Sequence, residues 1–164
     1  MNIYIFDLDD TILMHKQFKN GIEYNLIQYN PQIDNYLSSI QGKKYIYTNG
    51  TYGHADKTLQ MMKIDHHFDF IYARDTLDFM KPEYSSFKQV YLDVLCRNNL
   101  SLYDPHTVYF YDDLLDNLKT AHQIGWKTIW IHPNHWKKYD YVNYSSYSII
   151  PVSYTHLTLP TKRI

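Results

Sequence analysis

The sequence predicts an α/β fold of three layers, a five-stranded parallel sheet with helices on both faces. Five short, apolar, β-rich runs occur at Ile3 to Phe6, Lys44 to Tyr47, Phe68 to Tyr72, Thr107 to Tyr111 and Thr128 to Ile131. Stretches of helical periodicity separate them. Strands that are apolar along their whole length and alternate with helices belong to a parallel sheet covered above and below. At 164 residues the chain has the length of one domain with its own core.

The first strand runs straight into Asp7, Asp9 and Asp10, three acids within four positions. Like charges at the end of a buried strand repel one another, and desolvation adds to the cost, so a positive partner is expected there. Residues 13–29 are what remains before the next helix, with room for a β-flap or minimal cap. The next helix starts at Asn30 as N-cap with Pro31 in the first turn, and puts Ile33, Tyr36, Leu37 and Ile40 on one face. The second strand ends in Thr48, Asn49 and Gly50, and a helix follows from about His54 to Met62. After the third strand, Lys81 and Pro82 precede a helix from Glu83 to Arg97. The fourth strand ends in Asp112 and Asp113, followed by a helix from about Leu114 to Ile124 that Gly125 stops. The fifth strand closes the pattern. Ligands of such sheets bind beyond the carboxyl ends of the strands, where all these polar residues fall.

Composition narrows the function. A formal net charge of -1 argues against broad electrostatic binding of nucleic acid. No apolar run approaches the ~18 residues of a membrane span, and no basic and apolar leader opens the chain. The single cysteine, Cys96, falls at an expected core position, which excludes an internal disulfide and makes the cytoplasm the expected compartment. The 18 tyrosines are spread over strands, helices and loops, a distribution that fits coding bias better than a base-stacking surface. His66, His67 and the stretch "HPNHW" at 132–136 have no partners at zinc-ligand spacing and are assigned to loops. Trp126 and Trp130 are expected to pack in the core or at the sheet edge. Residues 152–164, "VSYTHLTLPTKRI", resemble a reading frame of a transposase mosaic end with its adapter. They are set apart as a foreign tail, with the domain expected to span 1–151.

Chemistry follows from geometry at the strand ends. Residues i and i+2 of an extended segment point the same way, so Asp7 and Asp9 face one site while Leu8 packs away and Asp10 caps the loop. A hard divalent cation relieves their repulsion, and Mg²⁺ is typically held by a few carboxylates with water and substrate phosphate. Asp112 or Asp113 can supply the remaining carboxylate. The acids are therefore expected to hold a cation that escorts a phosphate.

Four motifs carry a family resemblance: "DLDDT" at 7–11, "YTNG" at 47–50, "KP" at 81–82 and "YDDLLDN" at 111–117. In this order they resemble the haloacid dehalogenase-like superfamily over essentially residues 1–150, and "TNGTYGHADKTLQMMKIDHHFDFI" and "KPEYSSFKQV" are most similar to its pyrimidine 5′-nucleotidase branch. The resemblance implies a Rossmann-like fold and Mg²⁺-dependent hydrolysis of a phosphomonoester through an aspartyl-phosphate. It implies Asp7 as nucleophile, and Asp9 as acid and base whose main-chain carbonyl also binds the metal. Dehalogenases of the superfamily lack that second Asp. Thr48, Asn49 and Gly50 would hold phosphate oxygens, and Lys81 would offset charge on the nucleophile and phosphoryl group. Asp113 corresponds to the direct metal ligand and Asp112 to the acid that contacts the lysine, while Asn117 or Asp116 could order a metal-bound water.

Relatives in that branch insert a helical cap between the first two motifs, whereas only residues 13–29 stand there in this chain. The expected partner is a small phosphorylated substrate, with a nucleotide favoured, and no membrane. A nucleic-acid end or a phosphoprotein is the alternative, with Lys16, Phe18, Lys19 and Tyr24 as contacts, or a neighbouring subunit as lid. A phosphate-binding or signalling module is the reading from another class. Receiver domains place Thr and Lys-Pro after their second acid, whereas Thr48 and Lys81 precede Asp112 here.

Overall fold

The computed structural model describes residues 1–151, so the tail set apart above lies outside the described residues. Six strands form one all-parallel sheet: β1 (Asn2–Phe6), β2 (Lys43–Tyr47), β3 (Phe70–Tyr72), β4 (Thr107–Asp112), β5 (Lys127–Ile131) and β6 (Tyr144–Ser146). Their order is β3-β2-β1-β4-β5-β6, with the helices α1 (Pro31–Ser39), α2 (Tyr52–Met62), α3 (Tyr84–Arg97) and α4 (Leu115–Gln123) between them in sequence. This is the Rossmann-like three-layer arrangement the sequence predicts, with one strand more. The sixth escapes the periodicity because Tyr144, Ser145 and Ser146 form no apolar run. Its approach to β5 depends on Asn143, whose side chain accepts from Thr128 N–H at 2.8 Å and whose N–H donates to Thr128 O at 3.1 Å.

Alternation along the strands splits the core in two. Tyr4, Phe6, Ile46 and Tyr111 face one side and pack with Ile33, Tyr36 and Leu37 of α1 and Ala55, Leu59 and Met62 of α2. Ile3, Ile5, Tyr45, Tyr47 and Phe110 face the other, against Phe87, Val90 and Val94 of α3 and Leu118 and Ala121 of α4. Full burial of such side chains is worth roughly 1.5–3 kcal/mol each. The buried tyrosines carry hydroxyls that need partners and have them: Tyr36 with Tyr111 at 3.0 Å, Tyr47 with Ser86 at 2.5 Å, and Tyr45 with the Asn98 amide at 2.9 Å.

Local signals set the helix ends. Asn30 Oδ1 accepts from Gln32 N–H at 2.9 Å and caps α1; Thr51 Oγ1 accepts from His54 N–H at 3.2 Å and caps α2. Gly42 joins α1 to β2 at φ 146°, where a Cβ would meet Asn2 O at 2.4 Å, so only glycine passes there. Cys96 is exposed, contrary to its expected core place, because it lies two residues beyond the buried Val94 and so on another face of α3. Trp126 and Trp130 are buried as expected.

Residues 13–29 contain two single-turn 3-10 helices, His15–Gln17 and Tyr24–Leu26. Leu13 and Ile27 are buried, and Met14, Phe18, Ile22 and Tyr24 lie against the α1/α2 side of the core. Side-chain contacts fasten the segment, among them the Lys16 ammonium on Tyr147 Oη and Tyr24 on His54. No helix among the described residues is long and apolar enough to cross a membrane.

Candidate active site

The chain runs outward from β1 to β2 and β3, then crosses to β4 on the other side of β1. That reversal leaves a crevice beyond the carboxyl ends of β1 and β4. β1 delivers Asp7 to it, with the Asp7 N–H donating to Tyr111 O at 2.9 Å, and β4 delivers Asp112 and Asp113.

Lys81 is the centre of the buried charge. Its side chain is 1% exposed, and the ammonium donates to Asp7 Oδ1 at 3.1 Å, Asp112 Oδ2 at 2.9 Å and Tyr47 O at 2.8 Å. Thr11 donates to the other Asp7 oxygen, Oδ2, at 2.9 Å. Both oxygens of Asp7 are thereby oriented. Asp112 also accepts from Leu114 N–H at 2.9 Å and from the Asn117 amide at 3.0 Å, so it serves as an anchor for the lysine. Asn117, with Asp116 one of two candidates to order a metal-bound water, is buried against Asp112.

Asp7 and Asp112 share this lysine, and Asp113 stands beside them without contacting it. Burial first, and the charge of Asp112 second, hold Asp7 well above the usual carboxylate range, with Lys81 pulling the other way. Asp113 is pushed up to about 6 by burial and by Asp112. Burial lowers the Lys81 pKa, but Asp112 and Asp7 outweigh it and the net direction is upward. Asp7, Asp112 and Asp113 present carboxylate oxygens within 4.8 Å of one another. A surplus of buried negative charge on an oxygen-only donor set suits a hard dication such as Mg²⁺.

Asp9 stands apart. Its carboxylate is a quarter exposed and lies between two imidazoles, His15 Nε2 at 2.8 Å and His54 Nε2 at 2.9 Å, both measured to Oδ1. The other ring nitrogen of His54 meets Tyr24 Oη at 2.7 Å. Asp10 adopts φ 61° and accepts from His15 N–H at 2.9 Å, the loop-capping place expected for it.

At the end of β2, Thr48 Oγ1 accepts from Gly50 N–H at 2.9 Å. The Asn49 side chain is engaged with the main chain of Lys81, donating to its carbonyl and accepting from its N–H, both at 3.0 Å. It thus holds the lysine loop rather than facing a ligand. Gly50 leaves room for His54: a Cβ there would lie 3.1 Å from His54 Cδ2 and 3.6 Å from Asp9 Oδ2.

All eight expected site residues therefore meet at one rim. The sequence reading missed Thr11, His15 and His54, and offered Tyr24 only as a contact of a macromolecular substrate. His54 had a signal, because the first turn of a helix that follows a strand end faces the rim. His15 had none, lying in a stretch without period. Beside Lys81 and Asp113 opens a cleft of about 510 Å³, walled also by Trp130, His132, Lys137 and Tyr139. His132 was expected to be an ordinary loop residue.

The profile of a family described as haloacid dehalogenase-like hydrolase matches residues 14–131. The match begins beyond Asp7 and Asp9, so those two acids are located by geometry alone. No curated protein matches the chain. Among solved structures, a Thermotoga maritima protein described as a beta-phosphoglucomutase is similar at 15% identity, covering 89% of this chain and 94% of that one, with a TM-score of 0.63. A dehalogenase is similar at 20% identity, TM-score 0.55, covering 72% of this chain. An L-2-haloacid dehalogenase is similar at 18% identity and TM-score 0.51. The chain spans about half the length of these two dehalogenases, 50% of each. At such identities the likeness speaks for the fold.

Proposed function

This chain belongs to the haloacid dehalogenase-like hydrolase family, and on that premise we propose a Mg²⁺-dependent phosphomonoester hydrolase of nucleotidase type, acting on small phosphorylated metabolites. One observation carries the reading. Two carboxylates two residues apart occupy different environments, Asp7 among Lys81 and Thr11, Asp9 between two imidazoles. Such a division suits a nucleophile beside a separate proton carrier.

In this mechanism an Asp7 oxygen attacks phosphorus, the bond to the leaving oxygen breaks, and Asp9 gives that oxygen its proton. Asp9, now a carboxylate, takes a proton from the water that attacks the aspartyl-phosphate, which frees phosphate and restores Asp7. Lys81 offsets charge on Asp7 throughout, and Thr11 keeps the attacking group aligned. Asp7, Asp113 and the main-chain carbonyl of Asp9 would hold Mg²⁺, whose chemistry there is neutralisation of phosphoryl charge. Thr48 and the main chain at 49–50 are the phosphate cradle. A dehalogenase has no use for a proton carrier at Asp9, so an acid at that position favours hydrolysis of a phosphate ester.

Residues 13–29 form the entire lid in this reading. The cleft walled by Trp130, His132 and Lys137 takes the leaving group, since its volume of about 510 Å³ suits a small molecule. So short a lid also favours, as second reading, a phosphorylated nucleic-acid end or phosphoprotein. The test is Mg²⁺-dependent phosphate release from nucleoside monophosphates, sugar phosphates and 5′- or 3′-phosphorylated oligonucleotides. Release from mononucleotides that Asp7→Asn abolishes supports the first reading. Activity confined to oligonucleotides supports the second, and silence from folded, Mg²⁺-binding protein overturns both.

A further inference from the structure

Two groups among the described residues bring three metal-ligand atoms within 4.8 Å of one another, and their chemistries differ. Asp7, Asp112 and Asp113 offer oxygen alone. Asp34, His66 and His67 offer one carboxylate and two imidazoles. The second group lies away from the rim described above. Asp34 belongs to α1, and the two histidines form the turn that leads into β3, at the end of that strand opposite the rim.

His67 Nε2 lies 2.5 Å from Asp34 Oδ1, and His66 Nε2 lies 3.7 Å from the same oxygen. The two rings face one another with centroids 4.1 Å apart. Tyr29 donates to the other carboxylate oxygen, Oδ2, at 2.6 Å. A clasp between α1 and this turn needs only one imidazole, and His67, whose side chain is 7% exposed, supplies it. His66 is 62% exposed, yet its Nε2 is turned to the same oxygen and its ring lies against the first. Two imidazoles converging on one carboxylate gain from a cation between them, and repel each other when both are protonated.

We propose that Asp34, His66 and His67 form a second metal site, taking a divalent transition ion of the Zn²⁺ class. Two nitrogens and one oxygen with a free fourth position fit that class and disfavour Mg²⁺, which prefers oxygen donors. Closing the ligands around an ion at ~2.0–2.1 Å moves these side chains by about 1 Å or less. Tyr29 orients the carboxylate, as groups behind metal ligands commonly do. A cleft of about 640 Å³ opens onto both imidazoles, so the ion stays in reach of solvent. Lys43 and Lys44 line that cleft too and favour an anionic group in the fourth position. The site ties α1 to the start of β3 and is independent of the hydrolase reading.

Calorimetric titration of the full chain with Zn²⁺ in excess Mg²⁺, paired with absorption spectroscopy of the Co²⁺ form, tests the proposal. Excess Mg²⁺ fills the oxygen-only cluster and leaves the imidazole site open. One equivalent of Zn²⁺ is expected to bind, and Co²⁺ to show the visible bands of a nitrogen-ligated, low-coordinate ion. His66→Ala removes a largely exposed side chain, so folding is preserved while Zn²⁺ affinity falls at least about tenfold. Asp34→Asn should weaken it similarly. No binding in excess Mg²⁺ overturns the proposal. So does an affinity unchanged in His66→Ala, or one lost in His15→Ala instead.

Discussion

The hydroxyl of Tyr24 lies 2.7 Å from His54 Nδ1, and the opposite nitrogen of the same ring meets both oxygens of Asp9, at 2.9 and 3.1 Å. With Tyr24 donating to Nδ1, Nε2 carries the hydrogen and gives it to Asp9. The segment 13–29 is thus linked through His54 of α2 to Asp9, the proton carrier in the mechanism we propose. His54→Ala is expected to lower kcat by about 100-fold with KM little changed, since orientation and not binding is lost. Tyr24→Phe should cost a few-fold, and His54→Gln should recover part of the loss. Steady-state kinetics with circular dichroism checks this, and an unchanged kcat in His54→Ala removes the positioning role.

Gly50→Ala tests the same contact from below. The added methyl would crowd His54 Cδ2 at 3.1 Å and Thr48 Oγ1 at 3.3 Å. A displacement of a few tenths of an ångström at His54 is expected to reduce kcat about tenfold and to cost about 1 kcal/mol of stability. Urea unfolding and kinetics on one preparation read both.

Lys81→Ala removes the cation that, among the described residues, faces both Asp7 and Asp112. Breaking one partner of a buried ion pair costs about 3–5 kcal/mol, and a loss in that range is expected in Mg²⁺-free buffer. Lys81→Arg should not restore the wild-type value, because a planar fork does not fit three acceptors grouped around a point charge. Denaturant titration decides; a change below about 1 kcal/mol would show that the lysine is not needed to offset those acids.

Stability should depend on pH with a definite sign. Asp113 sits at about 6 and Asp7 is raised in the same direction, so the metal-free native protein holds protons that the unfolded chain has already released. The contribution of these two groups to stability is therefore full below the ordinary carboxylate pKa and is lost as pH rises, from about 4 through about 6 for Asp113. Mg²⁺ displaces those protons, so its stabilising shift in Tm should be small near pH 5 and larger near pH 7. Thermal melts with and without Mg²⁺ across that range measure it, and a shift independent of pH excludes these acids as ligands.

The rim was legible because Asp7, Thr48 and Asp112 each stand where a continuous apolar run gives way to polar residues. Lys81 was legible through motif order, and its three acceptors depend on β1, β2 and β4 lying side by side. What stayed hidden depends on distant approach or on weak local pattern. Asp34 and His67 are 33 positions apart and meet only when α1 packs beside the turn before β3. Cys96 looked like core because apolar neighbours surround it in sequence, whereas helical geometry turns it outward. The tyrosines, ascribed to coding bias, turn out to carry paired hydroxyls inside the core, as Tyr36 and Tyr111 do.

The two outermost strands, β3 and β6, have three residues each, and two of the three in β6 are serines. Main-chain groups left open along a strand invite pairing by a neighbouring molecule, and the invitation weakens as the strand shortens. Longer strands rich in tyrosine and isoleucine, β1 and β2 among them, lie inside these short borders. Among the described residues, the sheet therefore offers a stray chain only brief footholds, and a sequence whose composition favours cross-strand assembly gains protection from aggregation at both margins.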